Sequence, residues 1–370
     1  MLKKGLSSII LASVVCIGMT HALAAETVFP PSGTGKPVSE LSVQAENGDI
    51  RAQLALAIAY YYGRGVAQDN EKAAFWAKKA AEKGSADAQY ALGTLYYHGK
   101  GVTQNRPQAE YWYRKAAMQK HPAAQYALGA MYSYGDGVAQ DYQRGAQLFQ
   151  QSAEQGNPDA QHALGIMYDW GKGVTQDYQK AVYWYEQAAK QGNTGAQYNL
   201  GMMYARGEGV SRDTRKAAEL FRTAAEHGLA EAQYSLGDMY FNGNGVTQNK
   251  KYAADWYRKA AAQGNALAQN ALGIMYMRGD DIPRDDKQAF DLFRQAARKR
   301  IPEAIANLGL MYAKGQGTAK NYPYAYTLAH HAARNIRSAA RLESKLSKIM
   351  TPDDRTRAAS LTIDEILNKP

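Results

Sequence analysis

The sequence is almost without cysteine: Cys16 is the only one in 370 residues. It lies in an N-terminal stretch with the layout of a removable signal: Lys3 and Lys4, an apolar run from Ile9 to Ile17 broken only by Ser13, then Ala22-Leu23-Ala24. Cleavage is expected after Ala24 or Ala25. Cys16 is flanked by Val14, Val15 and Ile17, so the small residue that a lipoprotein signal places before its cysteine is missing. The mature chain then has no thiol, which excludes a disulfide framework, a thiolate metal site and a cysteine nucleophile together. Long hydrophobic runs are scarce as well. Beyond residue 30 nothing approaches the roughly 18 consecutive apolar residues of a membrane-spanning helix. The mature protein is expected in the periplasm or secreted.

The motifs of catalysis are missing too. There is no nucleophile elbow, no His-Glu-x-x-His, no phosphate-binding loop and no dinucleotide fingerprint. Gly99-Lys100 and Gly171-Lys172 lack the earlier glycine and the following Ser or Thr of a phosphate cradle, so they read as turns. No enzyme, cofactor or metal is expected. Acidic charge is in deficit: the formal charge is +10, or +8 once Lys3 and Lys4 leave with the signal. In an exported protein such a balance favours an acidic protein or anionic surface over nucleic acid.

What the sequence has instead is a period of 36 residues from about Asp49 to Arg334. Tyr60, Tyr96, Tyr132, Tyr168, Tyr204, Tyr240, Tyr276 and Tyr312 form one column without a gap. Gly93, Gly129, Gly165, Gly201, Gly237, Gly273 and Gly309 form another. Within Pro158–Asn193 the apolar residues Ala160, Leu164, Met167 and Tyr168 follow helical spacing, with Gly165 allowing close approach of a neighbour. Gly171-Lys172-Gly173-Val174 then turns the chain, and a second stripe runs through Ala181, Trp184, Tyr185 and Ala188. Asp69, Asn105, Asp141, Asp177, Asp213, Asn249, Asp285 and Asn321 stand where the second helix of each unit needs a capping side chain. The column Trp76, Trp112, Leu148, Trp184, Leu220, Trp256, Leu292 and Leu328 is assigned to the core.

The combination Ala-Gln-Tyr-Ala-Leu-Gly, Met-Tyr, Gly-x-Gly-Val, Trp-Tyr-x-Lys-Ala-Ala and Gly-Asn resembles the Sel1-like repeat family over about four fifths of the chain. The last unit departs from it with Ile305 and Thr318. The resemblance implies an all-α, right-handed α-solenoid of eight 36-residue helix-turn-helix repeats, related to tetratricopeptide arrays, acting as an adaptor, receptor or inhibitor of other proteins. The expected organisation is a signal peptide at 1–24, a linker at 25–37, an N-terminal capping helix at 38–48, the repeats at 49–334 and C-terminal capping helices at 335–370.

A solenoid binds through positions that vary while its frame stays fixed. On the first helix of each unit a stripe at i, i+4, i+7 and i+8 carries such residues, for example His162, Ile166, Asp169 and Trp170. The expected partner-binding residues are Tyr61, Tyr62, Tyr97, His98, Tyr134, Asp169, Trp170, Arg206 and Phe241. A basic surface of Arg334, Arg337, Arg341, Lys345 and Lys348 follows helical spacing. The leading expectation is an exported scaffold that recognises another protein. The alternatives are an immunity protein that neutralises a secreted toxin such as a phospholipase, and a cell-wall or β-lactam hydrolase.

Overall fold

The computed structural model describes residues 37–279 and 281–368. The expected signal segment, and nearly all of the expected linker, lie outside those residues. Among the described residues every regular element is a helix, and the chain divides into two compact units, Met1–Arg212 and Asp213–Pro370. The first holds α1 (Val38–Glu46), α2 (Ile50–Tyr62), α3 (Asn70–Glu82), α4 (Ala86–His98), α5 (Arg106–Met118), α6 (Pro122–Tyr134), α7 (Tyr142–Glu154), α8 (Pro158–Trp170), α9 (Tyr178–Lys190) and α10 (Thr194–Arg206). The second holds α11 (Thr214–Glu226), α12 (Ala230–Asn242), α13 (Lys250–Ala262), α14 (Ala266–Arg278), α15 (Asp286–Arg298), α16 (Pro302–Lys314), α17 (Tyr322–Ala333), α18 (Arg337–Ile349), α19 (Pro352–Ser360) and α20 (Ile363–Leu367). Within each unit successive helices pack as α-solenoid layers, each on the next, through α10 in the first and from α11 through α18 in the second.

Local chemistry starts and stops these helices. All eight Asp or Asn residues of the capping column accept a backbone N–H from the first turn of the second helix, each contributing on the order of 1 kcal/mol. The first helices end on glycine in the left-handed region, as at Gly171 with φ +63°, which a side chain rarely adopts.

A second column of glycine is set by space. At Gly165 a Cβ would lie 2.6 Å from Cδ1 of Tyr185. The same relation joins Gly93 to Tyr113, Gly129 to Phe149, Gly237 to Tyr257 and Gly273 to Phe293. The rings that fill the pair interface are therefore the Tyr/Phe column, and Tyr113, Phe149, Tyr185 and Phe293 are fully buried. This corrects the assignment of the preceding column to the core: Trp112, Trp256 and Leu328 are buried, but Trp76, Leu148, Trp184, Leu220 and Leu292 are half-buried. Adjacent residues on a helix point about 100° apart, and the glycine opposite admits only the second of the two.

The Ala-Gln motif has a specific role. Gln53, Gln89, Gln125, Gln161, Gln197, Gln233 and Gln269 are buried, and each donates Nε2 to a carbonyl at the end of the preceding helix over 3.0–3.5 Å. A further glutamine, at 119, 155, 191 and 263, donates to the buried one at 2.7–2.8 Å. Where the second glutamine is present, this chain of amides satisfies the buried glutamine's oxygen, which burial would otherwise penalise. In the last repeat Ile305 replaces the glutamine and is buried as an apolar residue.

The segment expected to hold C-terminal capping helices contains three, α18, α19 and α20. α17 stops at Ala333 and α18 is a separate helix. The closing segment is two helices, because Thr362 and Glu365 form a capping box that starts α20 afresh.

Candidate partner-binding surface

Most of the stripe that sequence assigns to a binding face is interior. Ile58, Tyr61, Tyr90, Thr94, Tyr126, Ala130, Ser133 and His162 are buried, covered by the second helix of their own repeat, as at Thr94, Tyr126 and Ser133, and by the next repeat's first helix or its N-cap residue, as at His162 and Tyr90. Tyr61 receives a hydrogen bond on its hydroxyl from Lys100 Nζ at 3.3 Å. Tyr97 donates to Asp136 Oδ2 at 2.6 Å and lies under the Arg106 guanidinium, 3.6 Å from its ring centroid. Arg106 in turn pairs with Asp136 at 2.9 Å. Burial, and then the Asp136 carboxylate, push the Tyr97 phenol up to about 12. Its neighbour His98 is half-buried and meets it edge to face.

Asp169 belongs to a polar cluster in the first unit. Tyr185 donates to Asp169 Oδ2 at 3.2 Å, Asn199 also hydrogen-bonds to Tyr185, and Asn199 Nδ2 lies 2.9 Å from Nε2 of the buried His162. Burial raises the Asp169 carboxyl to about 6, with nearby Glu208 adding to the rise and the Tyr185 hydroxyl opposing it. Burial lowers His162 to about 4, so the ring is neutral near pH 7. The cluster is structural polar packing, with Asp169 and Asn199 partly open to solvent and His162 and Tyr185 buried.

The last member of each stripe does reach the surface. Tyr134 is 43% and Trp170 39% exposed. Tyr62 is half-buried beneath Arg64, whose guanidinium carbon is 4.7 Å from the ring centroid. Two further aromatic residues that sequence reasoning missed stand on the same edge. Tyr142 and Tyr178, the first residues of α7 and α9, are exposed. Gln140 Nε2 bridges the Ser133 carbonyl, next to Tyr134, and the Tyr142 hydroxyl. Gln176 Nε2 bridges the Asp169 carbonyl, next to Trp170, and the Tyr178 hydroxyl in the same way. Each bridge ties the end of a first helix to the start of the second. A groove of about 810 Å³, lined by Glu110, Tyr132, Gln140, Tyr142, Arg144 and Gly173 among others, opens at Tyr142.

Arg206 is exposed and pairs with Glu208 at 3.5 Å. Phe241 lies in the second unit, half-buried, with Lys250 Nζ 5.6 Å from its ring. The basic residues Arg334, Arg337, Arg341, Lys345 and Lys348 are exposed, also in the second unit. Among the described residues no group of three or more His, Asp or Glu could hold a metal ion, and no helix is long and apolar enough to cross a membrane.

The family described as Sel1 repeat matches eight successive segments, 50–85, 86–121, 122–157, 158–193, 194–229, 230–265, 266–300 and 302–335. Among solved structures, the chain is 31% identical to a Sel1 repeat protein from Oxalobacter formigenes, with 89% of this chain and 99% of that one covered and a TM-score of 0.62. It is 28% identical to c5321, described as a protective antigen of uropathogenic Escherichia coli, with 90% and 94% covered and a TM-score of 0.57. Immunity protein Pa5087 from Pseudomonas aeruginosa is 20% identical over 67% of this chain and 88% of that one, with a TM-score of 0.39. No curated protein matches the chain.

Proposed function

Because the chain belongs to the Sel1 repeat family, a fold of protein-interaction scaffolds, we propose that it is an exported scaffold that captures another protein along the aromatic edge of its first unit. The observation that carries this reading is the set of exposed rings Tyr134, Tyr142, Trp170 and Tyr178 from two consecutive repeats, with an open groove at Tyr142. None of these rings fills the frame. The Tyr134 and Trp170 column holds Arg206, Asn242, Arg278 and Lys314 in later repeats, and the Tyr142 and Tyr178 column holds Thr214, Lys250, Asp286 and Tyr322. Exposed aromatic groups that packing does not require are the usual anchors of an interface, each contributing about 2 kcal/mol when a partner buries it. The signal-like segment Met1–Ala24 supports export, which places the partner in the periplasm or beyond.

The test is a variant with Tyr134→Ala, Tyr142→Ala, Trp170→Ala and Tyr178→Ala. It should keep its circular dichroism and melting temperature while affinity for the captured protein falls at least about 10³-fold, even allowing for non-additive anchors. A folded variant that retains the same partner at unchanged affinity overturns the assignment.

A further inference from the structure

The chain's positive charge is not spread over its repeats. Residues 298–350 contain ten Lys or Arg, namely 298, 299, 300, 314, 320, 334, 337, 341, 345 and 348, against only Glu303 and Glu343. That excess of eight, together with Lys3 and Lys4, accounts for the whole formal charge of +10, so the remainder of the sequence is neutral.

Some of these cations are committed within the fold. Arg298 donates to the Leu367 carbonyl at 2.8 Å, and Arg300 pairs with Asp364. Those on α18 are different. Its buried residues are Ala339 and Leu346, which hold it against α17, while Arg337, Arg341, Lys345 and Lys348 are all exposed. At about 100° per residue these four fall within about 80° of helix circumference, and they extend over about 16 Å of its length. The only acidic residue of the helix, Glu343, points to the other side and is held by His330 Nδ1 at 2.7 Å. Among the described residues none of the four cations forms an ion pair. Arg334, exposed just before the helix, continues the row, and Ile349, 49% exposed, flanks its far end.

We propose that this face of α18 docks the protein on an anionic phospholipid surface. A protein partner would ask for buried anchors and a shaped recess. The row offers no aromatic ring and no groove, only flexible cations of one sign with no acid interspersed. Such a row matches a uniform, laterally mobile sheet of phosphate headgroups, to which each basic residue adds attraction without needing a fixed geometry. The inference is independent of the aromatic edge in the first unit.

Sedimentation of the protein with vesicles tests it, using phosphatidylcholine alone or with about 30% phosphatidylglycerol, an anionic content at which polybasic segments bind. Binding is expected only to the anionic vesicles at low salt and should be lost at about 0.5 M salt, where screening is nearly complete at contact range. Replacing the four cations by glutamine (R337Q, R341Q, K345Q, K348Q) should lower partitioning by about fivefold for each, 10²-fold or more together. Two controls should bind like the parent: Arg337→Lys with Arg341→Lys, which keeps the charge, and Lys79→Gln, Lys120→Gln, Lys190→Gln and Lys251→Gln, which removes four exposed cations elsewhere. Indifference to phosphatidylglycerol overturns the proposal. So does equal loss in the second control, or capture of soluble polyglutamate by a protein that ignores anionic vesicles.

Discussion

Gly165→Ala and Gly309→Ala are the same substitution in the same column, yet the first should destabilise the protein and the second should leave its stability nearly unchanged. At Gly165 the added methyl would sit 2.6 Å from both Cδ1 and Cε1 of Tyr185. An ordinary carbon–carbon contact begins near 3.5 Å, so the ring or the helix must move by about 1 Å. Tyr185 cannot yield easily, being fully buried and tethered to Asp169 through its hydroxyl at 3.2 Å. Overpacking of this kind costs about 1–3 kcal/mol, partly offset by the helix propensity of alanine over glycine, about 1 kcal/mol. At Gly309 the ring is absent, because Ala329 occupies its position, and the nearest atoms are the Ala325 carbonyl oxygen and Leu328 Cβ at 3.3 Å. There the propensity gain and slight crowding nearly balance, and the change should fall within about 0.5 kcal/mol of zero. Urea unfolding followed by circular dichroism reads both. Adding Tyr185→Leu to Gly165→Ala should recover part of the loss by making room for the methyl. Equal shifts for the two glycine variants would refute the claim that the ring, not the backbone, dictates glycine in this column.

Tyr185→Ala should cost about 3–5 kcal/mol, and Trp184→Ala distinctly less, about 1–2 kcal/mol, since Trp184 is only half-buried; equal unfolding midpoints would contradict the corrected core. Asp177→Ala should lower stability by about 1 kcal/mol through loss of the cap on α9, visible as a lower melting temperature. Asp169 holds its proton more tightly in the folded chain, where its carboxyl titrates near 6 against an ordinary 3.8, so the stability it supports is fullest below about pH 4 and is lost as pH rises through 6. Asp169→Asn should therefore stabilise the protein at pH 7 by about 1–2 kcal/mol, after allowance for partial exposure, with the gain vanishing below pH 4. His162 slopes the other way: lowered from 6.5 to about 4, it supports stability above pH 6.5 that is lost as pH falls toward 4, so Asp169→Asn should steepen acid unfolding in that window. A pH series of melting curves parallel to the parent's would count against both assignments.

The repeat made the frame legible because its physical causes are local. Capping needs a short acceptor at one position, and a helix end needs glycine at another, so those columns stand out in the sequence. Choosing which neighbour faces inward is not local. Trp184 and Tyr185 both suit an apolar stripe, and only the glycine on the facing helix admits Tyr185. The stripe through His162 and Asp169 read as open surface for a related reason: the residues covering it, such as Asn199, come from the next repeat. Tyr142 and Tyr178 went unnoticed because they directly follow the capping column. Their own column, with Asn70, Arg106, Thr214, Lys250, Asp286 and Tyr322, is the kind of variable position that marks surface. The glutamine chain was visible as a motif, but its partners are backbone carbonyls, which no side-chain pattern announces.

The central claim is that a partner protein lies against the edge formed by Tyr134, Tyr142, Trp170 and Tyr178. A photo-crosslinking residue placed singly at each of these positions, and at the exposed helix positions Gln147 and Lys190 for comparison, tests it directly in living cells. Adducts of one discrete mass are expected from the four edge positions and none from the other two. Adducts from Gln147 and Lys190 equal to those from the edge, or from none of the six positions, would contradict it.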